Sequence, residues 1–384
     1  MIFNLLLDFI FNKIFAEKIM NSFLYTGSTI KFFGYMPDGA EVNSCELTNK
    51  NGMRMKVITF GATITSLKIP LKNGSFLDVV LGFDTMEAYL NSFNLKSAPY
   101  FGATVGRYAG RINNSTFSLN RKSIFLNNNN NGHSLHGGNI GFSQKKWKIK
   151  NVNEGENPSI TLSYFSPDGE ENYPGDLSID LTYTLSDENE LIIEYVATTS
   201  EDTVINLTHH SYFNLDGHCS TILEQDLLIN SNKTLETNEH NIPTGQFLNL
   251  ENNLFDFNQA KKCPQTIDTT FVLNDGEEIS ASLFSPKNNL EMLVYTNQPA
   301  VHIYVGGNCF NAIKGKENAD YHPLSGICFE TQNFPDAPNH ENFPNAFLRK
   351  DEIYQHKTIY KFQNSEWLTD LELINNTTKL FNNA

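Results

Sequence analysis

In LSIDLTYTL at 177–185 every second residue is apolar: Leu177, Ile179, Leu181, Tyr183 and Leu185. Successive side chains alternate across a strand, so this period places all five on one face of a half-buried β-strand. Similar runs occur in MKVITFGATITSLKI at 55–69, SITLSYF at 159–165, LIIEYVAT at 191–198 and HKTIYKF at 356–362. Turn signals such as Lys72–Gly74 and Asp168–Gly169 lie between them. Stretches at helical period are few outside the termini. The pattern predicts a mostly antiparallel, all-β protein.

A chain of 384 residues could hold two or three domains, yet all-β folds often pass 200 residues as one unit. No Pro/Gly/Ser linker or sharp change of composition divides the sequence, so a single large domain is expected. The termini differ from the rest. Residues 1–29 open with MIFNLLLDFIFNKIFAEKIM, whose longest apolar runs, Leu5–Leu7 and Phe9–Phe11, are too short for a signal or a membrane span. Asn4, Asp8 and Asn12 recur every fourth residue and give this extension an amphipathic helical pattern, with Met20 as a second candidate start. The expected division is an extension at 1–29, a domain at 30–363 and an Asn-rich tail at 364–384.

The net charge of −15, from 43 acidic and 28 basic residues without a basic block, argues against a nucleic-acid partner. A small molecule fits better, and no membrane association is expected. Five cysteines without a CxxC pair or regular spacing read as reduced thiols in a cytoplasmic protein. The number of subunits, monomer or dimer, is left open.

Three distant segments carry the chemistry: NGHSLHGG at 131–138, NLTHHSYFNLDG at 206–217 and GICFETQNFPDAPN at 326–339. They place His136, His210 and Glu330 in Gly/Asn-rich surroundings where the backbone can turn and polar groups can converge. A carboxylate facing an imidazole is the minimum equipment for acid–base catalysis, in which one group takes a proton while another delivers one. Cys328 falls on the same strand face as Glu330 and reads as a buried or pocket-lining thiol. The five-Asn run Asn127–Asn131 is mostly compositional drift into a loop, although it abuts HSLHGG and puts Asn131 at the mouth of the expected site.

With GRYAGRI at 106–112, FGATITSL, DVVLGFD, SPDGEENYPGDL, IPTG, DTTF and TNQPAVHIY, these segments resemble, in order and spacing, the aldose 1-epimerase (galactose mutarotase) family over about residues 30–362. The resemblance implies a large antiparallel β-sandwich, the galactose mutarotase-like supersandwich, with a sugar on its concave face. It implies Glu330 as general base, His210 as general acid and His136 as a hydrogen-bonding, polarising group. Arg111, Asp268 and His302 become sugar-binding residues, with neither metal nor cofactor. Arg107 competes with Arg111 locally, but the spacing from Arg111 to His136 fits the family. His209 should point away from the site as a strand neighbour of His210. Gly110 stands where many relatives have Asn, His302 where Gln is frequent and Phe334 where Trp is frequent. Phe334 is expected to leave an aromatic face in the loop after Glu330.

Other readings fit less well. His133, His136, His209 and His210 lack the spacing of a helical zinc motif. A glycosidase would want two carboxylates at the bond, not a carboxylate and a histidine. A non-catalytic sugar-binding protein would have no use for Glu330 and His210 together, and a hexose 6-phosphate enzyme would need a basic cluster that the sequence does not show.

Overall fold

The computed structural model describes residues 27–274, 279–308 and 311–364. All pairings between its strands are antiparallel, and three sheets dominate. A nine-stranded sheet runs in the order 148–153, 159–166, 177–185, 190–199, 354–364, 290–296, 281–285, 226–229 and 261–262. A six-stranded sheet follows the order 212–213, 327–332, 300–305, 267–272, 233–237 and 243–249. A five-stranded meander covers 27–35 to 76–78. Among the described residues the α-helix is Met86–Ser92, started by the Thr85 hydroxyl accepting from the Ala88 amide. No helix among them is long and apolar enough to cross a membrane.

The alternation in LSIDLTYTL becomes the strand Leu177–Leu185, with its five apolar residues buried and Ser178, Asp180, Thr182 and Thr184 more exposed. The runs at 159–165, 191–198 and 356–362 lie in the strands Ser159–Ser166, Glu190–Thr199 and Tyr354–Asn364. The run at 55–69 differs. It folds back on itself as Arg54–Ile58 and Thr63–Pro70, with Ile58 opposite Thr63. Gly61 and Ala62 take positive φ at 63° and 47° and reverse the chain, a turn hidden by the unbroken apolar pattern on both sides. Among the described residues, pairing extends from Gly27 to Asn364. The amphipathic pattern at 1–20 and most of the tail lie outside the described residues.

One hydrophobic core joins the three sheets, drawing Leu47 and Ile64 from the meander, Leu181 and Tyr360 from the large sheet, and Ile303 and Phe329 from the six-stranded one. The six-stranded sheet positions the site. Ile327 and Phe329, Val301, Ile303 and Val305, and Ile267 and Phe271 enter the core. The residues alternating with them, on three neighbouring strands, must then face the other way.

Candidate active site

That other face floors a cavity of about 490 Å³. Asp268 and Thr270, His302 and Tyr304, and Glu330 and Gln332 all line it, two from each strand. Thr270, His302 and Glu330 stand directly opposite one another across the three strands. The six expected residues Arg111, His136, His210, Asp268, His302 and Glu330 therefore share one cavity.

Glu330 is 3% exposed, and its Oε1 lies 3.5 Å from His210 Nε2. The other imidazole nitrogen of His210 is 3.6 Å from the Cys328 sulfur, which makes Cys328 a fully buried thiol behind the histidine. His210 is hung between two backbone bonds: its amide donates to the Ala103 carbonyl at 2.9 Å, and its carbonyl accepts from Gly102 at 3.0 Å. His209, its neighbour, turns away and pairs its Nε2 with the Ser211 hydroxyl at 2.7 Å. Burial drops His209 to about 3, with a smaller push from the His210 charge, so it is a neutral structural group.

His136 comes from a tight loop. Its own φ is 52°, and Gly137 and Gly138 follow at 87° and 109°. A Cβ on Gly137 would stand 2.0 Å from the Gly106 carbonyl oxygen, so only glycine fits. The Asn run takes part here, contrary to its reading as drift. Asn129 donates to the carbonyls of Leu135 and Gly138 at 2.9 and 2.7 Å and accepts from the Leu135 amide at 2.7 Å. Glu171, from SPDGEENYPGDL, accepts from the amides of Asn139 and Ile140 at 2.8 and 3.1 Å. Asn131 itself is exposed, and Asn129 and Asn130 line the cavity in its place, because the chain turns at Asn131 with φ 50°.

The Gly110 amide donates to His136 Nδ1 at 3.3 Å. An imidazole accepting at Nδ1 carries its neutral-form proton on Nε2. Burial first, then the charges of His210, Arg111 and His302, hold His136 well below the ordinary histidine range. His136 is thus a neutral donor. One nitrogen of His136, one of His210 and one Glu330 oxygen lie within 4.8 Å of one another, a two-His, one-carboxylate set with the composition of some zinc sites. A metal on Nε2 would move the His136 proton onto Nδ1, against the Gly110 N–H, so the tautomer opposes a metal there. His133, from the sequence-level metal alternative, instead accepts from the Asn114 amide at 3.0 Å.

Arg111 lines the cavity and donates from Nε to Asn130 Oδ1 at 3.1 Å. Arg107 is fully buried elsewhere, its guanidinium bonded to the carbonyls of Pro174 and Gly175 and to the Ser166 hydroxyl. His302 donates from Nε2 to Asp268 Oδ1 at 3.0 Å, and its Nδ1 meets the Thr270 hydroxyl at 2.8 Å. Burial pulls its pKa down, but the Asp268 hydrogen bond and the charges of Glu330 and Asp268 outweigh this and raise it above the ordinary value. Burial likewise works against the Asp268 charge, and His302 with Arg111 overcomes it and lowers that carboxyl. Each partner thus favours the charged form of the other.

Gly110 takes φ 76°, a region that Asn tolerates better than most residues, and a Cβ there would press on the Pro335 ring at 2.9 Å. Phe334 does not offer an aromatic face to the site. It is 2% exposed and stacks edge-on with Phe343 at 5.1 Å, leaving Pro335 in the cavity wall.

Gln332, Tyr304, Asn241 and Tyr100 also line the cavity without having been singled out in the sequence. Gln332 and Tyr304 were within reach of the alternation, two residues beyond Glu330 and His302. Gln332 Oε1 is buried and has no hydrogen-bond partner among the described residues, an acceptor open to a ligand hydroxyl. Asn241 donates to Asp268 Oδ2 at 3.0 Å, a contact between distant loops that no local pattern announces.

An antiparallel supersandwich whose cavity brings a carboxylate and two imidazoles together is the architecture of the sugar epimerases, and sequence comparison agrees. The aldose 1-epimerase family model matches residues 43–361, and the chain belongs to that family. A galactose mutarotase of Bos taurus is 38% identical over 341 residues, 86% of this chain and 97% of that protein. An aldose 1-epimerase of Escherichia coli K12 is 32% identical across 85% of this chain and 96% of its own length. The crystal structure of a GalM/aldose epimerase homologue from C. elegans superposes with a TM-score of 0.77 at 30% identity, over 88% of this chain and all of that one.

Proposed function

We propose that the protein interconverts the α and β anomers of free aldohexoses such as galactose and glucose. The observation that carries the reading is the approach of Glu330 to His210, at 3.5 Å on the floor of an open cavity. The anomeric hydroxyl and the ring oxygen are both bonded to C1, so two groups this close can serve them together. Glu330 takes the proton of the C1 hydroxyl while His210, as imidazolium, gives one to the ring oxygen. The C1–O5 bond breaks and C1 becomes a carbonyl. Rotation about C1–C2 exposes the opposite carbonyl face. On reclosure the C5 hydroxyl returns its proton to His210, and Glu330 returns the other to the C1 oxygen, leaving both groups as they began.

His136, a neutral Nε2 donor, and Arg111 stabilise negative charge building on oxygen during opening. Asp268, His302 and Asn241 hold hydroxyls away from C1, where a carboxylate can accept from two neighbours. Residues 27–364 act as one catalytic unit. The buried free thiols Cys45 and Cys263 support a cytoplasmic location. Polarimetry on freshly dissolved α-D-galactose and α-D-glucose tests the reading. Accelerated decay of rotation to the equilibrium value is expected with at least one of them, and a decay at the buffer rate with both overturns it.

A further inference from the structure

Tyr100 touches both histidines of the cluster. Its ring centroid lies 5.0 Å from that of His136 at an interplanar angle of 65°, and 5.7 Å from that of His210 at 32°. Tyr212 flanks His210 as well, at 5.3 Å and the same 32° tilt. The two imidazoles stand nearly perpendicular, at 84° with centroids 5.7 Å apart. Tyr100 shares a contact with each and lines the cavity beside them.

The backbone that delivers this ring is unusual. Tyr100 has φ 54°, in the left-handed region that a bulky residue seldom enters. Its carbonyl accepts from the Ala103 amide at 3.0 Å, closing a turn in which Gly102 is also left-handed at 66°. Gly102 and Ala103 are the residues that bond the two sides of the His210 backbone. The strained turn and the histidine thus form one hydrogen-bonded unit, and any shift of Tyr100 moves the frame of His210. Strain of this kind persists only where its surroundings enforce it, and it gathers at working sites.

We propose that Tyr100 is a positioning residue for the reaction: its ring, held by the left-handed turn, fixes the angle and separation of His136 and His210 and so decides which sugar oxygen each one meets. The ring does this by packing. Burial pushes the Tyr100 hydroxyl up to about 12, so the side chain stays neutral through the working range. The inference rests on the acid–base roles given above to the two histidines.

Two substitutions separate positioning from folding. Tyr100→Asn keeps a residue that tolerates the left-handed turn and removes the ring, while Tyr100→Phe keeps the ring and removes the hydroxyl. Turnover is measured per folded molecule, with the folded fraction read from thermal melts. Tyr100→Asn should lower kcat by on the order of tenfold to a hundredfold with a smaller change in KM, as misplaced catalytic groups do. It should also shift the side-chain ¹H–¹⁵N signals of His136 and His210, and Tyr100→Phe should restore most of the lost turnover. Wild-type kcat in Tyr100→Asn, unmoved imidazole signals, or a loss in Tyr100→Phe as large as in Tyr100→Asn would overturn the inference. His210→Asn, run alongside, tells the two proposals apart. If it retains turnover, the acid–base assignment fails. If it loses turnover while Tyr100→Asn does not, the positioning role alone fails.

Discussion

The two halves of the cavity are built by different means. Asp268, His302 and Glu330 stand on three paired strands, next to the buried apolar residues Ile267, Val301 with Ile303, and Phe329. Tyr100, Arg111, His136 and His210 come from short bridges and turns, with positive φ at Tyr100, Gly102, Gly110 and His136. The strand half draws its precision from the core. The turn half draws it from glycines, backbone hydrogen bonds and the Asn129 and Glu171 side chains that tie the loop down. Errors in the first half should therefore show up as lost chemistry in an intact fold, and errors in the second as lost placement.

The sharpest probe of the strand half is Glu330→Gln, which keeps shape and removes the base. It should cost on the order of a hundredfold to ten-thousandfold in kcat with the melting temperature nearly unchanged. Near-normal turnover by polarimetry would remove Glu330 from the mechanism. On the turn side, His210→Asn should lower kcat strongly with little change in KM, while His136→Asn should affect both, because His136 also binds the ground state. Equal kcat losses with unchanged KM in the two variants would erase the distinction between their roles.

Acid attacks both halves from behind. His209 supports the segment of His210, and His356 lies against Thr331 beside Glu330. Burial lowers each to about 3, whereas an unfolded histidine takes its proton near 6.5. Between those values the unfolded state binds more protons, so stability present at neutral pH is lost as pH falls below about 6.5, with a limiting slope of about 1.4 kcal/mol per pH unit for each histidine. Denaturant midpoints measured from pH 7 to pH 4 check this, and His356→Gln should flatten the curve.

Gly137→Ala tests the turn half more locally. With φ at 87° and a carbonyl oxygen where the methyl must go, it should cost more than about 1 kcal/mol and raise KM by displacing His136. An unchanged melting temperature would show that the loop relaxes freely. The smallest effect belongs to His302→Gln. The His302 proton is held below its raised pKa and lost as pH climbs through it, so wild-type KM should rise on the alkaline side, and the variant should lose that dependence. Stability should change by less than about 1 kcal/mol, since the Asp268 side chain is 36% exposed and solvent screens the pair.

The strand half was legible in the sequence because burial on one face of a sheet enforces a two-residue period. The places of His302 and Glu330 followed from that period once the family likeness had marked them. The turn half was legible only as motifs. LHGG announced that the backbone turns, but not that Asn129 would clamp it or that Glu171 would reach in from another segment. The turn at Gly61–Ala62 was hidden in an apolar run, and Phe334 went into the core although its motif suggested the cavity. Tyr100 had no signal of its own, because a left-handed φ at an aromatic residue is imposed by tertiary contacts.

The opposition of Thr270, His302 and Glu330 across three strands has a consequence for how this chain can vary. Sliding one of those strands by a single residue would send its polar groups into the hydrocarbon interior and turn Val301, Ile303 or Phe329 outward, since a one-residue slip inverts the whole strand. Catalytic alignment and the ability to fold are therefore read from the same register. A one-residue insertion or deletion within 267–272, 300–305 or 327–332 that no β-bulge absorbs should therefore cost folding together with the alignment of Thr270, His302 and Glu330.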